Sequence, residues 1–420
     1  MRNRRSAGPI SVGMTFLRVA VVTLGLLPVV APAGGFYVVR VGLVSMGDPQ
    51  QFTLSSDRPF GAYEAGSQDL IAQWPAMAEA AISAEGDRVR LAGRSFQAVY
   101  FSSEGPLLRL AGPARTRRYR GWIHIASREG RLQAVNEVNL ETYLMGVVPC
   151  EMRSGAHPQA LRAQAVACRT YVLRRMEAFR DQGFDVDDTT RCQTYRGAGA
   201  EDPRANEAIR LTSNQILVYG GLPIQALYSS VSGGVTASAS EAFGSVGEPY
   251  LVSVRDLDEN GEPYARGAPY MRWTCTFERP RIASLMKEAG HDVGPVRRIE
   301  TVERSESGRV RQVRVTGDLG AVTLRGDALR RLLGVNDLRS TLFEISATGT
   351  GWRFDGKGWG HGVGMCQAGA EGRARAGQTY RQILAAYYVG AEVITVPGSA
   401  LKTAARGSVV QRRKFHRSGG

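Results

Sequence analysis

Residues 139 to 180 constrain the fold most strongly, because they encode two helices joined by a short polar turn. Asn139 can cap the free N–H groups of the first helix, Glu141 suits its first turn, and Pro149 is expected to end it. Pro158 fits the first turn of the second helix, where a missing N–H costs nothing. The apolar positions of this second helix fall on one stripe, which predicts a core-facing side: Leu161, Ala165, Cys168, Val172, Met176 and Phe179.

One carboxylate, Glu151, lies at the seam between these helices, just past the expected end of the first one. The turn from 153 to 157 is short, so both helices must dock on the same body and hold Glu151 against it. A rigidly held acid can have a tuned pKa. Taken alone, a glutamate near a helix end is more often a surface or capping residue, and the residues by themselves leave both interpretations open.

Residues 1 to 33 have the pattern of an export signal. Arginines between positions 2 and 18 precede an apolar run from 19 to 30, and residues 31 to 33 have the small-x-small form of a cleavage site. The run is shorter than the ~20 residues that span a bilayer, which favours a cleaved signal over an uncleaved membrane anchor. Either interpretation places the body of the chain outside the cytoplasm, in the periplasm or cell wall.

The net charge of +14 does not indicate a nucleic-acid-binding protein, because the excess sits at the ends of the chain. Five basic residues and no acid precede Asp48, and six basic residues and no acid follow Glu392. The body therefore has no broad phosphate-binding face. The tail from 402 to 420 is basic and poor in apolar residues, which predicts a disordered, solvated segment. Contact with a membrane surface, through this tail or the N-terminal segment, stays an alternative.

The cysteines do not predict a metal site, because they lack the close pairs that zinc centres use. In an exported chain a disulfide is the default expectation, with at least one thiol left over. Small buried side chains are the alternative. The residues concerned are Cys150, Cys168, Cys192, Cys275 and Cys366.

The pattern over residues 37 to 392 predicts a mixed α+β fold, with a central helical core and flanking antiparallel strands. Strand-like runs at 37–44, 88–91 and 97–101 are rich in β-branched and aromatic residues. A hairpin is expected where 120–126 and 132–138 flank a short turn. Further expected elements are a helix at 205–212, a strand pair at 215–219 and 222–228, and a helix capped by Thr379 that runs to 388.

Residues 272 to 347 are expected to form a smaller α/β subdomain. Helical patterns at 281–289 and 326–333 enclose strand patterns at 296–303 and 309–316.

The block from Leu140 to Met152, followed by the block from 160 to 171, closely resembles the stage II sporulation protein D and amidase-enhancer family of cell-wall proteins. The similarity runs from about 39 to 390. Further blocks follow in the family's order: Cys192-Gln193-x-Tyr195-x-Gly197, Tyr228-Ser229-Ser230-x-Ser232-Gly233-Gly234, Glu248-Pro249-Tyr250-Leu251, and Gly358-Trp359-Gly360-His361-Gly362-Val363-Gly364-Met365-x-Gln367. Three positions depart from the pattern, namely Arg153, Cys168 and Cys366.

The resemblance implies an exported peptidoglycan lytic transglycosylase that needs no cofactor. Glycoside hydrolysis normally uses two carboxylates. In a lytic transglycosylase the C6 hydroxyl of muramic acid attacks its own anomeric carbon, so one residue can serve as both acid and base. Glu151 matches the family's catalytic position, and Glu241 is interpreted as structural. The alternative implied by the family's other name is a non-catalytic glycan-binding protein that stimulates a cell-wall amidase.

The resemblance also implies a set of substrate-binding residues. Arg169 lies off the apolar stripe of its helix, so we expect it to point out of the core, where a guanidinium can hold a lactyl carboxylate; a surface ion pair is the alternative. Tyr228 is a candidate for stacking on a pyranose. The other cleft-lining candidates are Ser230, Ser232 and Gly233, although serine and glycine runs are usually only turns.

The glycine-rich loop from 356 to 365 is not a phosphate loop, since it lacks the Ser or Thr that binds magnesium. So many glycines are costly in conformational entropy, which indicates close backbone packing against the Glu151 region or the substrate. His361 can orient Glu151 or a sugar hydroxyl, or can be a hydrogen-bonded structural histidine. Gln367 is expected in the same network, and no metal ligand pattern accompanies His361.

Overall fold

The computed structural model describes residues 37–244 and 247–397. The predicted signal segment at 1–33 and the basic tail at 402–420 lie outside the described residues. No helix within the described ranges is long and apolar enough to cross a membrane.

The first hundred described residues form strands. Their bounds are β1 Val38–Gly42, β2 Gln51–Ser55, β3 Phe60–Glu64, β4 Leu70–Trp74, β5 Glu79–Glu85, β6 Arg88–Leu91, β7 Arg94–Phe96, β8 Ala98–Ser103, β9 Leu108–Ala111, β10 Thr116–Tyr119, β11 Trp122–Arg128 and β12 Arg131–Asn139. The predicted hairpin is confirmed as β11 and β12. Its two turn residues, Glu129 and Gly130, both have positive φ, which matches the twist of a tight hairpin.

The helical core follows, with short strands between its helices. The bounds are α1 Leu140–Glu151, α2 Pro158–Arg175, β13 Val186–Asp187, α3 Pro203–Leu211, β14 Gln215–Tyr219, β15 Leu222–Pro223, β16 Tyr228–Ser229 and α4 Ala239–Phe243. The predicted pairing of 215–219 with 222–228 holds only for the two residues of β15, which pair with β14. Pro223 has no N–H with which to continue a ladder, and the chain then leaves to form β16.

The last part of the described chain adds the following elements: β17 Trp273–Glu278, α5 Arg279–Glu288, β18 Val296–Arg304, β19 Val310–Gly317, β20 Gly320–Arg325, α6 Gly326–Leu333, β21 Phe343–Ala347, β22 Gly351–Gly356, β23 Met365–Cys366, α7 Gln367–Arg375, α8 Tyr380–Tyr387 and β24 Glu392–Thr395. Thr379 caps α8 as predicted, since its side chain accepts from the Gln382 N–H.

Two larger sheets carry the N-terminal strands. One sheet has the order β13-β1-β12-β11-β8-β3-β4, and the other has the order β10-β9-β2-β5-β6-β7. Neighbouring strands are antiparallel, except that β13 runs parallel to β1. The mixed α+β class is therefore confirmed.

The helix α2 lies at the centre of the main hydrophobic core. It packs against α1, α3, α7, α8 and β14. Pro158 occupies its first turn, as predicted, and His157 caps it by accepting from the Gln159 N–H at 3.3 Å. The helix is buried on nearly all sides from Ala160 to Leu173, so a single core-facing stripe understates its burial.

A second hydrophobic core forms between Trp273 and Phe354. It joins the sheet β17-β22-β21 to the sheet β18-β19-β20 and to α5 and α6. This core runs past residue 347, the predicted boundary, because β22 pairs with both β17 and β21.

We predict that Phe354→Ala lowers the free energy of unfolding by about 3–5 kcal/mol, since the ring is fully buried between Phe277 and Phe343. Urea unfolding followed by intrinsic fluorescence measures this. Leu319→Ala is the control, because Leu319 is 71% exposed. Equal stabilities of the two variants would contradict the assignment of a second core.

Candidate active site

Glu151 is the last residue of α1. Asn139 caps this helix, as predicted, by accepting from the Glu141 N–H at 2.9 Å. The expectation that Pro149 ends the helix is wrong, since the helix continues to Glu151 and the Met152 N–H still bonds to the Val148 carbonyl. Only two helical residues follow Pro149, so its missing N–H falls near the end of the helix and not in its interior.

The Glu151 carboxylate is partly buried and receives hydrogen bonds. The backbone N–H of Thr194 donates to Oε1 at 2.6 Å. Burial raises the pKa of Glu151, while the Thr194 N–H, the Thr194 side chain and the Tyr228 hydroxyl lower it in part. The net direction is upward. A glutamic acid held in this way keeps its proton to higher pH than an exposed one.

Gln367 is the first residue of α7 and fastens the backbone of Glu151. Its Nε2 donates to the Glu151 carbonyl at 2.8 Å and to Oε1 of Gln164 at 3.2 Å. The first bond satisfies one of the carbonyls that the end of α1 leaves free. Gln367 therefore lies in the network of Glu151.

Tyr228 in β16 approaches Glu151 with its hydroxyl. Nε2 of Gln193 donates to this hydroxyl oxygen at 3.1 Å, and Sγ of Cys168 lies 3.7 Å away. Gln164 in turn donates to the Cys168 sulfur at 3.1 Å. Because Gln193 supplies a hydrogen to the Tyr228 oxygen, the hydrogen of Tyr228 is free to point at the Glu151 carboxylate.

Gln164, Gln193 and Thr194 belong to the same network, and the sequence pattern did not predict them. Gln164 and Gln193 are both buried, and a buried amide needs partners. Oε1 of Gln193 also accepts from the Tyr143 hydroxyl at 3.3 Å. Two features of the sequence could have indicated these residues. One is a glutamine inside an otherwise apolar stretch of α2, and the other is a second glutamine in the block at 192–197.

The expectation that Arg169 points out of the core is wrong. Its side chain is fully buried, with Nε and Nη2 bonded to the two carboxylate oxygens of Glu141 at 2.7 and 2.6 Å. Nη1 donates to the Gln215 carbonyl at 3.1 Å. The guanidinium already holds a carboxylate, and it ties the first turn of α1 to α2 and β14.

Of the serine and glycine candidates, only Ser230 is exposed. Ser232 is buried and donates to Oδ2 of Asp256 at 3.1 Å. Gly233 is also buried and has a φ of 80°. A Cβ there would lie 3.0 Å from Leu342 and Lys357. The expectation that Ser232 and Gly233 line the cleft is therefore wrong, because both serve packing between segments.

His361 acts on the strand that carries Tyr228. Its Nδ1 accepts from the Val363 N–H at 3.0 Å, and the Tyr228 backbone lies beside its ring. Burial, with Arg330 and Arg309 nearby, lowers the pKa of His361 to about 4, so the ring is neutral at neutral pH. The partners of His361 thus support Tyr228 and do not include the Glu151 carboxylate.

The glycine loop packs closely, as expected, but its partner is the segment 227–231 that carries Tyr228. Gly358 and Gly364 have φ values of 80° and 70°. A Cβ on Gly358 would lie 2.5 Å from the Val231 oxygen, and a Cβ on Gly364 would lie 2.0 Å from the Leu227 oxygen. Glycine is required at both positions for two reasons, backbone conformation and space.

The expected disulfide does not form, since Cys150, Cys168, Cys192, Cys275 and Cys366 are free thiols. Cys168 and Cys366 are fully buried, which fits the alternative of small core side chains. Within residues 37–244 and 247–397, no group of three or more His, Cys, Asp or Glu side chains could hold a metal ion.

Comparison with known proteins gives matches over these segments. Residues 128–219 match the family described as "Stage II sporulation protein", and residues 254–364 match a domain of unknown function. The chain is 33% identical over 264 residues to an uncharacterized protein of Brachyspira hyodysenteriae, covering 62% of this chain and 68% of the relative.

Two further relatives come from Bacillus subtilis. Stage II sporulation protein D is 33% identical over 278 residues, covering 62% of this chain and 76% of the relative. Amidase enhancer is 27% identical over 295 residues, covering 59% of this chain and 39% of the relative.

We predict that Arg169→Met lowers the free energy of unfolding by about 3–5 kcal/mol, because it leaves the Glu141 carboxylate without its buried cation. Adding Glu141→Gln to this variant should restore part of the loss. Chemical denaturation measures both effects, with Arg162→Met on the same helix as control. A substrate-contact role would instead leave the stability unchanged.

Proposed function

Since the chain belongs to the stage II sporulation protein D family, which includes the amidase enhancer, we propose that it acts on the bacterial cell wall as a peptidoglycan lytic transglycosylase. The substrate bond is the β-1,4 linkage from N-acetylmuramic acid to N-acetylglucosamine. Glu151 is the acid and base. The observation that carries this proposal is a partly buried carboxyl with a raised pKa, which accepts from the Thr194 N–H at 2.6 Å and has the Tyr228 hydroxyl close by.

In the proposed reaction Glu151 first donates one proton and then accepts one. Protonated Glu151 gives its hydrogen to the bridging oxygen as the C1–O bond of muramic acid breaks. The C6 hydroxyl of the same sugar then bonds to C1, and its hydrogen returns to the Glu151 carboxylate. The product is a 1,6-anhydro end, and no water is consumed.

The raised pKa of Glu151 favours both proton-transfer steps. It increases the protonated fraction needed for the first step, and it makes the carboxylate a better base for the second. The bonds from Thr194 and Tyr228 stabilise the carboxylate that forms between the two steps. Such donors also fix its orientation, which favours a single geometry of proton transfer.

Three other glutamates of the described residues are engaged in structural contacts, which fits a mechanism with one carboxyl group. Glu141 is paired with Arg169. Glu241 caps α4 and also accepts from the Ser307 N–H at 3.2 Å, in line with its interpretation as structural. Glu371 accepts from the His157 N–H at 2.6 Å.

Ser230, the exposed member of its block, and Tyr228 are the residues that we propose to contact the glycan beside Glu151. Gln367 and His361 are proposed to position the catalytic carboxyl and Tyr228, respectively. The proposed site of action is outside the cytoplasm, which agrees with the predicted export signal at 1–33.

A second candidate function is stimulation of a cell-wall amidase by a non-catalytic glycan-binding protein, which the relative named amidase enhancer favours. In that case the purified chain alone would release no fragments from peptidoglycan, yet it would bind sacculi and raise amidase turnover.

We predict that Glu151→Gln lowers the rate of anhydro-muropeptide release by about 10²–10⁴-fold, because the amide keeps the shape of the side chain and lacks the proton. Mass spectrometry of digested glycan, with and without stem peptides, measures the products. Glu371→Gln is the matched control and should retain most activity. Release at the wild-type rate by Glu151→Gln would overturn the assignment.

We also predict that Tyr228→Phe moves the falling limb of the pH profile of kcat/KM to higher pH and lowers the maximum. Loss of a donor to the carboxylate raises the pKa of Glu151 further, and the acid is active only while protonated. Tyr250→Phe is the control, because that hydroxyl bonds to Gln225 instead. A limb that stays in place or moves to lower pH would contradict the role of Tyr228.

A further inference from the structure

An aromatic cluster covers the face of the seven-stranded sheet that is turned away from Glu151. In β11, Ile123 and Ile125 are buried, while Trp122 and His124 alternate onto the opposite face. The pairing register places Tyr100 beside His124, and Tyr63 beside Tyr100. We call these four residues, Tyr63, Tyr100, Trp122 and His124, the aromatic face.

The rings of the aromatic face form one continuous cluster. Trp122 lies 6.0 Å from Tyr63 and 6.2 Å from Tyr100, between ring centroids, and Tyr100 lies 4.5 Å from His124. Trp122 is 46% exposed, and Tyr63, Tyr100 and His124 are half-buried. The solvated face of an antiparallel sheet normally carries polar side chains, so a contiguous aromatic patch there indicates a binding surface.

The aromatic face and Glu151 lie on opposite sides of β12. Glu137 is on the side of the aromatic face, since it pairs with Trp122 in the register. Its neighbour Asn136 points the other way and accepts from the Tyr195 hydroxyl at 2.7 Å. Thr194, next to Tyr195, is the residue that bonds to Glu151. A ligand on the aromatic face is therefore not in the cleft of Glu151.

The rings of the aromatic face are uncharged, and the carboxyl group of Glu137 lies beside them. Burial lowers the pKa of His124 to about 4, so its ring is neutral, and Tyr100 keeps its proton because its pKa is raised to about 12. Arg40 at the border is already paired with Asp185 at 3.3 Å. Ring faces next to hydroxyl and carboxyl groups suit an uncharged polyhydroxyl ligand, since rings can stack on its C–H faces.

The area of the aromatic face also indicates whether its ligand is a glycan or a second copy of the chain. Four rings on three adjacent strands and two residue rows cover roughly 10 by 7 Å of sheet. A stable protein dimer buries about 800 Å² on each partner, which is several times more than this patch. A short stretch of a narrow polymer matches it better.

We propose that the aromatic face is a second glycan-binding site, which takes a strand of β-1,4-linked N-acetylamino sugars and does not cleave it. A protein with sites on both sides of β12 can hold one strand of a polymer network while its cleft engages another. Two linked sites on one polymer also raise the effective concentration of the cleft at its substrate.

The test is a calorimetric titration of the full chain carrying Glu151→Gln with the β-1,4-linked hexamer of N-acetylglucosamine. Adding Trp122→Ala should remove one binding site per chain, or weaken it about tenfold. Tyr63→Ala should act in the same direction and serves as second variant if Trp122→Ala fails to fold. Tyr219→Ala is the control, because this ring is similarly exposed, at 40%, and lies in β14.

Binding curves that coincide for Trp122→Ala, Tyr63→Ala and the parent would overturn the proposal. A dimer in the parent that becomes a monomer in Trp122→Ala, seen by sedimentation velocity, would also overturn it by assigning the face to a second copy. The outcome does not depend on cleavage. Loss of one site supports the proposal even if the chain proves to be no transglycosylase.

Discussion

The hydrogen bond from the Thr194 N–H to the Glu151 carboxylate, at 2.6 Å, lies where three separate segments of the chain meet. The helix α1 brings Glu151, the loop after β13 brings Thr194, and β16 brings the Tyr228 hydroxyl. Each segment is fixed to buried α2 or to its neighbours, and burial of the carboxyl is what raises its pKa. A buried acid that lost these donors would be costly, so the packing and the chemistry depend on each other.

Amide side chains make the connections in this network. Gln367 joins the end of α1 to Gln164 in α2, and Gln193 joins Tyr228 to Tyr143. An amide donates and accepts at once, so it passes a fixed hydrogen-bond direction to the next group. The result is that the hydrogen of Tyr228 is available to Glu151, while neutral His361 lies beside the Tyr228 backbone. We expect preorganisation of this kind to favour the charged carboxylate that forms during the reaction.

Local structure that depends on a few neighbouring residues could be predicted from the sequence. Contacts between residues that are distant in the sequence could not. The Asn139 and Thr379 caps and the β11–β12 hairpin follow from local signals, and the structure confirms them. The direction of Arg169 was mispredicted because its helix is buried on nearly all sides, and its partner Glu141 is 28 residues away. Ser232 likewise meets Asp256 only in the folded chain. Family blocks indicated the candidate site, while the direction of each side chain required the tertiary structure.

The aromatic face is a further feature that depends on residues distant in the sequence. It lies on N-terminal strands, most of which precede the family match at 128–219. Alternation in β11 shows that one face is buried, but only the strand register shows that four rings meet on the other. If both surfaces bind glycan, the chain can engage a polymer network at two points, with Glu151 at only one of them.

Digestion of purified peptidoglycan in water enriched in oxygen-18 tests the central claim most directly, because it asks whether water takes part in bond cleavage. If Glu151 acts alone and the C6 hydroxyl attacks, the wild-type chain by itself releases 1,6-anhydro ends that carry no oxygen-18. Reducing ends labelled with oxygen-18 would show hydrolysis, and the absence of any released fragment would show a non-catalytic protein. Either result would contradict the account.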